Sequence, residues 1–361
     1  MPLTCGIVGL PNAGKSTLFR AITAAHAEVA PYPFTTIAPN VGIVRIPDPR
    51  LDAIARITRP ERVVPAALEL VDIAGLVRNA HKGEGLGNQF LARIREVDAL
   101  VHVVRCFGGD VTHVEGSVDP LRDIEIVETE LLLADLASVA RTREQLAPRA
   151  RVGDRAAREE DATLAGLEAH LAAGHPGRTW ARPGAADPAV ARHLLTARPV
   201  LYVANLAERD ASDGPCLEAV ARYAAAAGAG ALGLCTKLEM ELADLPEEEA
   251  AEFSAALGHA ERGLPRLARA CLELLGLKTF FSTASDEVRA WTIPAGTRAP
   301  QAAGRIHTDM ERGFIRAEVV AYADLVACGS VTAARERGLV RLEGKDYEVR
   351  DGDVITFRFA V

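Results

Sequence analysis

Short runs of apolar residues alternate with helical patterns over most of the chain, and this alternation predicts an α/β fold. The runs are apolar at nearly every position, which is typical of parallel strands that are buried on both faces. Helical patterns follow several of these runs, and a longer one over 247–275 ends this part of the chain. The predicted strands are residues 5–8, 41–46, 67–71, 99–106, 200–204 and 231–235.

The middle of the chain has two consecutive amphipathic helical patterns. Apolar residues three and four apart predict helices over 124–146 and 155–173, and Gly153 and Asp154 separate them. Two helices joined by a short turn are predicted to form a hairpin that is inserted into the sheet domain. Residues 141–200 contain ten arginines, no lysine and seven acidic residues. The hairpin is therefore either a solvated arm or a contact surface for RNA or an acidic partner.

The pattern changes again after residue 277, where short strands are separated by turns rich in Gly and Asp. Strands are predicted at 279–282, 288–293, 315–320, 339–343 and 354–359, with a helix near 300–306. This small α+β module has no arrangement typical of a catalytic site, so we expect it to bind a partner. The predicted domains are 1–135 together with 196–277, an inserted arm over 136–195, and the module at 278–361.

The composition excludes several classes of protein. The 361 residues are 49% hydrophobic and 25% charged, which is typical of a globular protein. No apolar run reaches the ~20 residues that cross a bilayer, and the N-terminus lacks a secretory signal, so a cytoplasmic location is expected. The net charge of −8 argues against extensive coating of nucleic acid. The six cysteines form no C-x-x-C pair, which predicts reduced thiols without a zinc site or disulfide framework.

Residues 9–17 read Gly-Leu-Pro-Asn-Ala-Gly-Lys-Ser-Thr and fit the pattern G-x-x-x-x-G-K-[ST]. The motif lies between a predicted strand and a predicted helix, which is the context of a phosphate-binding loop. The N–H groups of such a loop and the following helix N-terminus bind phosphate oxygens. Lys15 is predicted to contact the β and γ phosphates, and the Ser16 hydroxyl to coordinate Mg²⁺. The predicted nucleotide contacts in this loop are Asn12, Ala13, Gly14, Lys15, Ser16 and Thr17.

Two further segments carry predicted ligands of the metal or the γ-phosphate. Residues 30–40 contain three prolines and predict an extended loop, in which Thr36 would add a Mg²⁺ ligand in the triphosphate state. The alternative is that this threonine caps a turn. Asp72-Ile-Ala-Gly75 follows a predicted strand, which places the Asp72 carboxylate toward Mg²⁺ and the Gly75 N–H toward the γ-phosphate.

The residue after this D-x-x-G segment is Leu76. Small GTPases commonly carry a glutamine there to orient the attacking water, and leucine cannot form that hydrogen bond. Hydrolysis is therefore slow without a partner, or it depends on another polar group. His113 lies in a loop at the carboxyl end of a predicted strand, where ligands bind in parallel sheets. It is a candidate for orienting water, and the alternative is a solvent-facing loop histidine.

The position that reads the base is Asn205-Leu-Ala-Glu208. Guanine-specific enzymes of this kind use Asn-Lys-x-Asp, whose carboxylate accepts the guanine N1–H and N2–H. Here Leu206 replaces the lysine, and Glu208 is one methylene longer than aspartate, whereas Asn205 could still hydrogen-bond a purine. The segment 236–239 matches the corresponding Ser-Ala-Lys only in part, or it is an ordinary turn. These replacements predict a preference for ATP over GTP.

Together these motifs resemble the Obg-like ATPase (YchF) family of the TRAFAC-class P-loop GTPase superfamily, and they extend along essentially the whole chain. The resemblance implies a P-loop NTPase sheet domain of the OBG type, a coiled-coil arm and a C-terminal, ubiquitin-like TGS domain. It aligns the family's switch threonine with Thr36, its hydrophobic residue with Leu76 and its loop histidine with His113. The residues that carry it are G-L-P-N-A-G-K-S-T, Y-P-F-T-T-I-A-P-N, D-I-A-G-L-V, K-G-E-G-L-G-N, H-V-V-R-C-F, N-L-A-E and H-T-D-M-E-R-G-F-I-R-A-E-V.

The same resemblance implies Mg²⁺-dependent ATP hydrolysis, binding to the large ribosomal subunit and its RNA, and a nucleotide-dependent switch in translation or the stress response. No DNA or membrane partner is expected. Two alternatives remain open from the residues. One is a GTP-hydrolysing translational GTPase with relaxed base recognition. The other is a nucleotide-stabilised scaffold that binds ribosomes or RNA and hardly hydrolyses.

Overall fold

The computed structural model describes residues 4–27, 40–73, 86–108, 113–180, 194–208, 214–257, 261–283 and 286–360. The chain divides into two compact units. The first contains residues 1–44 and 69–274, and the second contains residues 45–68 and 275–361. Within the described ranges, none of the helices combines the length and the apolar character that a membrane span needs.

The strands and helices of the described residues follow in chain order. The strands are β1 (Thr4–Val8), β2 (Val41–Ile46), β3 (Arg62–Val64), β4 (Ala66–Asp72), β5 (Ala99–Cys106), β6 (Val200–Leu206), β7 (Gly230–Leu234), β8 (Leu277–Thr283), β9 (Glu287–Pro294), β10 (Phe314–Ala321), β11 (Arg341–Glu343) and β12 (Asp353–Phe359). The helices are α1 (Lys15–Ala27), α2 (Pro49–Thr58), α3 (Leu86–Glu96), α4 (Pro120–Arg151), α5 (Arg155–Ala172), α6 (Pro215–Ala226), α7 (Thr236–Ala243), α8 (Glu247–Ala256), α9 (Gly263–Leu274), α10 (Ala299–Ile306), α11 (Thr308–Arg312), α12 (Tyr322–Cys328) and α13 (Val331–Glu336), with a 3₁₀ turn at Gly177–Thr179.

The first unit is built on a sheet whose described strands run in the order β2-β4-β1-β5-β6-β7. The pairs β4–β1, β1–β5, β5–β6 and β6–β7 are parallel. All of β6 and all but the last residue of β5 are buried, which confirms that these apolar runs are strands covered on both faces. Parallel pairing brings the carboxyl ends of β1, β4, β5 and β6 to one edge, where the candidate site lies.

The second unit has a sheet whose described strands run in the order β11-β10-β12-β8-β9-β3. Strand β3 pairs in parallel with β9, from Arg62 opposite Glu287 to Val64 opposite Arg289. Residues 45–68 therefore belong to the second unit, which corrects their assignment to the predicted domain 1–135. A strand of three residues is too short to show a period, and its partner is more than two hundred residues away.

Helices α8 and α9 replace the single helical pattern that the sequence predicted over 247–275. Helix α9 begins at Gly263 because the Glu239 carboxylate accepts its N–H at 2.7 Å and that of Leu264 at 3.1 Å. These two hydrogen bonds satisfy N–H groups that a helix start leaves unpaired. The cap comes from a residue of α7, so local periodicity could not reveal where the new helix starts.

Helices α4 and α5 form the hairpin that the sequence predicted. Their shared apolar cluster includes Val139, Leu146, Leu164, Leu167 and Leu171. Part of the arginine excess is neutralised inside the arm. The Arg143 guanidinium bonds both Asp161 and Glu168, and Arg149 pairs with Asp154 at 2.6 Å. RNA or an acidic partner would therefore meet less net positive charge on the arm than the composition suggested.

Cys106 and Cys216 form a disulfide, so the prediction that the cysteines are all reduced is wrong for this pair. Cys106 ends β5 and Cys216 lies in the first turn of α6, at a sequence separation of 110. Their spacing gave no signal, because only the fold brings these two positions together. The other four cysteines are free, and Cys5, Cys235 and Cys271 are buried.

Reduction of this disulfide is expected to lower the free energy of unfolding by about 2–4 kcal/mol, because it closes a long loop in the unfolded chain. Thermal unfolding with and without dithiothreitol measures the effect. The matched control is the double variant Cys106→Ser/Cys216→Ser, which should unfold at the lower temperature in both conditions. Equal melting temperatures of the wild type with and without reductant would contradict this contribution.

Candidate functional site

The loop 9–14 joins β1 to α1 and passes close to its neighbours. Gly9 and Gly14 have φ angles of +145° and +102°, which side chains rarely adopt. A Cβ on Gly9 would lie 2.4 Å from the carbonyl oxygen of Val103, and one on Gly14 would lie 2.1 Å from Nδ2 of Asn205. Both positions therefore require glycine, and the strands β5 and β6 fix the path of the loop.

Lys15 begins α1 and is buried, and its ammonium donates a hydrogen bond to the carbonyl of Leu10 at 2.7 Å. Burial lowers its pKa to about 8, and the charge of Asp72 opposes this shift. Asp72 is half-buried at the end of β4, where burial raises its pKa and Lys15 opposes the rise. The structure thus brings these two predicted residues into electrostatic contact, beside a loop shaped to hold phosphate.

Ser16 and Asp72 supply oxygen donors of the kind that Mg²⁺ prefers. Ser16 is exposed in the first turn of α1, so its hydroxyl is accessible to a ligand. Such sites need few protein ligands, because phosphate oxygens and water complete the metal's coordination. Three other predicted site residues, Thr36, Gly75 and Leu76, lie outside the described residues.

The remaining predicted residues of the phosphate loop differ in exposure. Asn12 is exposed and has a φ of 63°, a left-handed conformation that asparagine tolerates better than most residues. Ala13 is buried and Thr17 is half-buried. Asn12 is thus at the surface of the loop, whereas a contact from Ala13 would come from its backbone.

Asn205 connects the two loops that border the predicted base site. Its amide nitrogen donates to the carbonyl of Ala13 at 2.9 Å, and its amide oxygen accepts the N–H of Thr236 at 3.0 Å. The amide nitrogen carries a second hydrogen that a purine could accept, and the Asn205 side chain itself is buried. The neighbouring Leu206 side chain is buried in the core cluster of the sheet, so only its backbone could contact a base.

Glu208 forms an ion pair with Lys237, with 2.8 Å between Nζ and the carboxylate oxygen. The pair joins the end of the β6 loop to the first turn of α7, and both side chains are more than half exposed. Glu208 also raises the pKa of Lys237 through this hydrogen bond. The sequence had not assigned Lys237 a role, although it lies in the segment that matches Ser-Ala-Lys in part. The carboxylate that a guanine clamp would use is thus bound by an ammonium.

His113 is buried, and both of its ring nitrogens are hydrogen-bonded. The Glu115 N–H donates to Nδ1 at 3.0 Å, so Nδ1 carries no proton. The proton is therefore on Nε2, which donates to the Asp123 carboxylate at 2.7 Å. The solvent-facing alternative is excluded, and neither nitrogen is available to a water molecule in this conformation. Sequence reasoning missed Asp123, whose position in the first turn of α4 gave no signal.

Comparisons with known proteins cover the whole chain. One family model, a 50S ribosome-binding GTPase, matches residues 4–144, and a YchF GTPase C-terminal model, described as a protein of unknown function, matches residues 277–360. The chain is 50% identical over 366 residues to the ribosome-binding ATPase YchF of Bacillus subtilis and 50% identical over 363 residues to that of Haemophilus influenzae. Each alignment covers 100% of both proteins.

Solved structures agree with these matches. The Schizosaccharomyces pombe YchF GTPase superposes with a TM-score of 0.87 at 37% identity, covering 99% of this chain and 97% of that one. A GTP-binding protein of Pyrococcus horikoshii has a TM-score of 0.60 at 20% identity and shares the fold. These similarities confirm the predicted fold class, a P-loop NTPase sheet domain with helices and a C-terminal α/β domain.

Proposed function

The chain belongs to the YchF family of P-loop NTPases, and on that premise we propose that it is a ribosome-associated, Mg²⁺-dependent ATPase. The bacterial relatives are named ribosome-binding ATPases, whereas the yeast structure is named a GTPase, so the base preference needs an argument of its own. We further propose a cytoplasmic protein that binds the large ribosomal subunit and its RNA. It would act as a nucleotide-dependent switch in translation or the stress response.

The ion pair between Glu208 and Lys237 is the observation that carries the preference for ATP. Guanine donates two hydrogen bonds, from N1–H and the 2-amino group, to the carboxylate of a guanine clamp. Lys237 occupies Oε1 of that carboxylate, so guanine would have to compete with an ammonium for it. Adenine has neither of these donors, so the ion pair does not weaken its binding. The second amide hydrogen of Asn205 could serve either purine, so it would not discriminate between them.

The phosphate end of the site supports hydrolysis in the following way. Lys15 would exchange its hydrogen bond to Leu10 for the β and γ phosphates, and its charge would stabilise negative charge that develops there. Ser16 and Asp72, with Thr36 as the predicted third ligand, would hold Mg²⁺, which neutralises phosphate charge when bound. The Gly75 N–H is the predicted contact of the γ-phosphate. Because Leu76 cannot orient water, we assign that role to His113.

Calorimetric titration with non-hydrolysable ATP and GTP analogues in the presence of Mg²⁺ tests the base preference. We expect ATP to bind at least about tenfold more tightly, a difference of about 1.4 kcal/mol. The converse variant, Leu206→Lys/Glu208→Asp, should shift the preference toward GTP. Lys237→Ala frees the carboxylate without changing it, so it should improve GTP binding by a smaller factor. Tighter binding of GTP by the wild type would favour the alternative of a translational GTPase.

Leu76 is the observation that keeps the scaffold alternative open, because the chain lacks the usual glutamine. Single-turnover hydrolysis of ATP with and without ribosomes separates the two functions. The ATPase proposal expects measurable turnover that ribosomes accelerate. Negligible basal turnover without stimulation would favour a scaffold that uses nucleotide only for stability.

A further inference from the structure

We propose that Asp123 is a positioning residue that holds His113 in a resting conformation, and that hydrolysis requires its release. This inference rests on the proposed function, in which His113 orients the attacking water. It concerns the regulation of that step. We call the set formed by His113, Glu115, Arg122 and Asp123 the histidine latch.

The hydrogen bonds of the latch occupy the whole ring of His113. Nε2–H donates to Oδ2 of Asp123 at 2.7 Å, and Nδ1 accepts the N–H of Glu115 at 3.0 Å. The side chains of His113 and Asp123 are only 5% and 4% exposed. A histidine orients water through a free ring nitrogen, as a donor or as an acceptor. The latched ring has neither, so it must break at least one of these bonds to act.

Asp123 is itself held firmly in place. The Arg122 guanidinium donates to its other oxygen, Oδ1, at 3.0 Å from Nη2 and 3.3 Å from Nε. The same guanidinium bonds the hydroxyl and the carbonyl of Ser117, at 3.0 Å and 2.6 Å. Asp119 caps α4 and Pro120 begins it, which fixes the turn that carries both residues. The acceptor for Nε2–H is therefore part of a rigid helix start, whereas His113 belongs to a connecting loop.

This arrangement differs from one in which an acid merely aligns a catalytic base. An aligning carboxylate bonds one ring nitrogen and leaves the other facing the substrate. Here the other nitrogen faces the backbone of Glu115, two residues along the same loop. The turn closes behind the ring, since the Gly116 N–H also donates to the His113 carbonyl at 3.0 Å. The hydrogen bonds to Asp123 and Glu115 thus hold His113 in an inactive conformation. The strength of the bond to Asp123 sets the fraction of molecules in which the histidine is released.

Single-turnover hydrolysis of Mg²⁺·ATP by latch variants tests the proposal. Asp123→Ala removes the acceptor, and we expect the rate constant to rise about tenfold while the affinity for an ATP analogue stays unchanged. Asp123→Asn keeps the shape of the side chain and an uncharged acceptor, so its rate constant should rise by a smaller factor. This variant tests the proposal if Asp123→Ala does not fold. His113→Ala should lose turnover. The double variant His113→Ala/Asp123→Ala should be as slow as His113→Ala alone.

The matched control is Asp154→Ala, which removes the cap of α5, the other helix of the hairpin, and leaves the four residues of the latch in place. It should lower the melting temperature and leave the rate unchanged, which separates the latch from a general loss of stability in the hairpin. A rate for Asp123→Ala equal to or below that of the wild type would overturn the latch. So would a double variant faster than His113→Ala, because the acceleration would then bypass the histidine.

Imidazole ¹⁵N chemical shifts of His113 report the hydrogen bonds of its ring independently of turnover. In the nucleotide-free wild type we expect the shifts of a ring that donates from Nε2 and accepts at Nδ1, and a changed pattern in the Asp123 variants. Unchanged shifts in those variants would contradict the latch. Failure of the proposed function has a different signature. It would be a wild type that neither binds nor hydrolyses ATP, or a His113→Ala variant with wild-type turnover.

Discussion

Replacing Gly14 with alanine is expected to weaken nucleotide binding by at least about 100-fold, which corresponds to about 2.7 kcal/mol. The new Cβ would lie 2.1 Å from Nδ2 of Asn205 and 3.1 Å from Oγ1 of Thr236. Asn205 cannot move aside freely, because its amide bonds both Ala13 and Thr236. The φ of +102° adds backbone strain of about 1–3 kcal/mol for a residue with a side chain. The phosphate loop and the predicted base site would therefore be disturbed together.

Calorimetry with an ATP analogue measures this loss, and circular dichroism shows whether the variant is folded. The matched control is Gly344→Ala, because a Cβ there meets no atom within 4 Å and the φ lies outside the left-handed region. That variant should bind nucleotide as the wild type does. Wild-type affinity in a folded Gly14→Ala variant would show that this loop, as described, does not hold the phosphates.

The parts of the fold that the sequence predicted correctly are those with a local signal. Strands β5 and β6 are continuous apolar runs, and the helices α4 and α5 have a regular stripe with a glycine turn between them. The phosphate loop was recognisable because its glycines, lysine and serine lie within nine consecutive residues. In each case the physical cause acts between residues that are close in sequence.

The features that the sequence did not predict join residues that are distant in sequence. Strand β3 pairs with β9, Cys106 bonds Cys216, and Glu239 caps the helix that starts at Gly263. None of these residues is unusual in its own segment. Their contacts exist only because the rest of the chain has folded, so no period or motif could indicate them.

The candidate site shows the same division. Residue types predicted a base-reading asparagine and a loop histidine; Asn205 lies near the carboxyl end of β6, and His113 lies between β5 and α4. Their hydrogen-bond partners, Ala13 and Thr236 for Asn205 and Asp123 for His113, were visible only in three dimensions. Those partners decide what each side chain has left to offer a ligand. The sequence thus indicated which side chains could contact a ligand, whereas it could not indicate which of their hydrogen-bonding groups are already occupied.

Lys15→Met is expected to lower the rate of ATP hydrolysis by about 10²–10³-fold, since it removes a charge that stabilises the transferring phosphate. It should also abolish a proton uptake that accompanies nucleotide binding. Burial lowers the pKa of Lys15 to about 8 in the free protein. Bound phosphate favours the charged ammonium and raises this pKa. Above about pH 8 binding should therefore take up protons, and the affinity should fall as the pH rises.

Calorimetry in two buffers of different ionisation enthalpy measures this uptake at about pH 9 and about pH 6.5. Uptake should be clear at the higher pH and absent at the lower, where Lys15 is charged in both states. The stability of the free protein depends on pH in the opposite direction to the nucleotide affinity. Between pH 8 and the ordinary lysine pKa of 10.5, the unfolded chain holds the proton that the free folded protein has lost, so stability rises with pH. Both effects should vanish in Lys15→Met, and uptake that persists in this variant would assign the proton to another group.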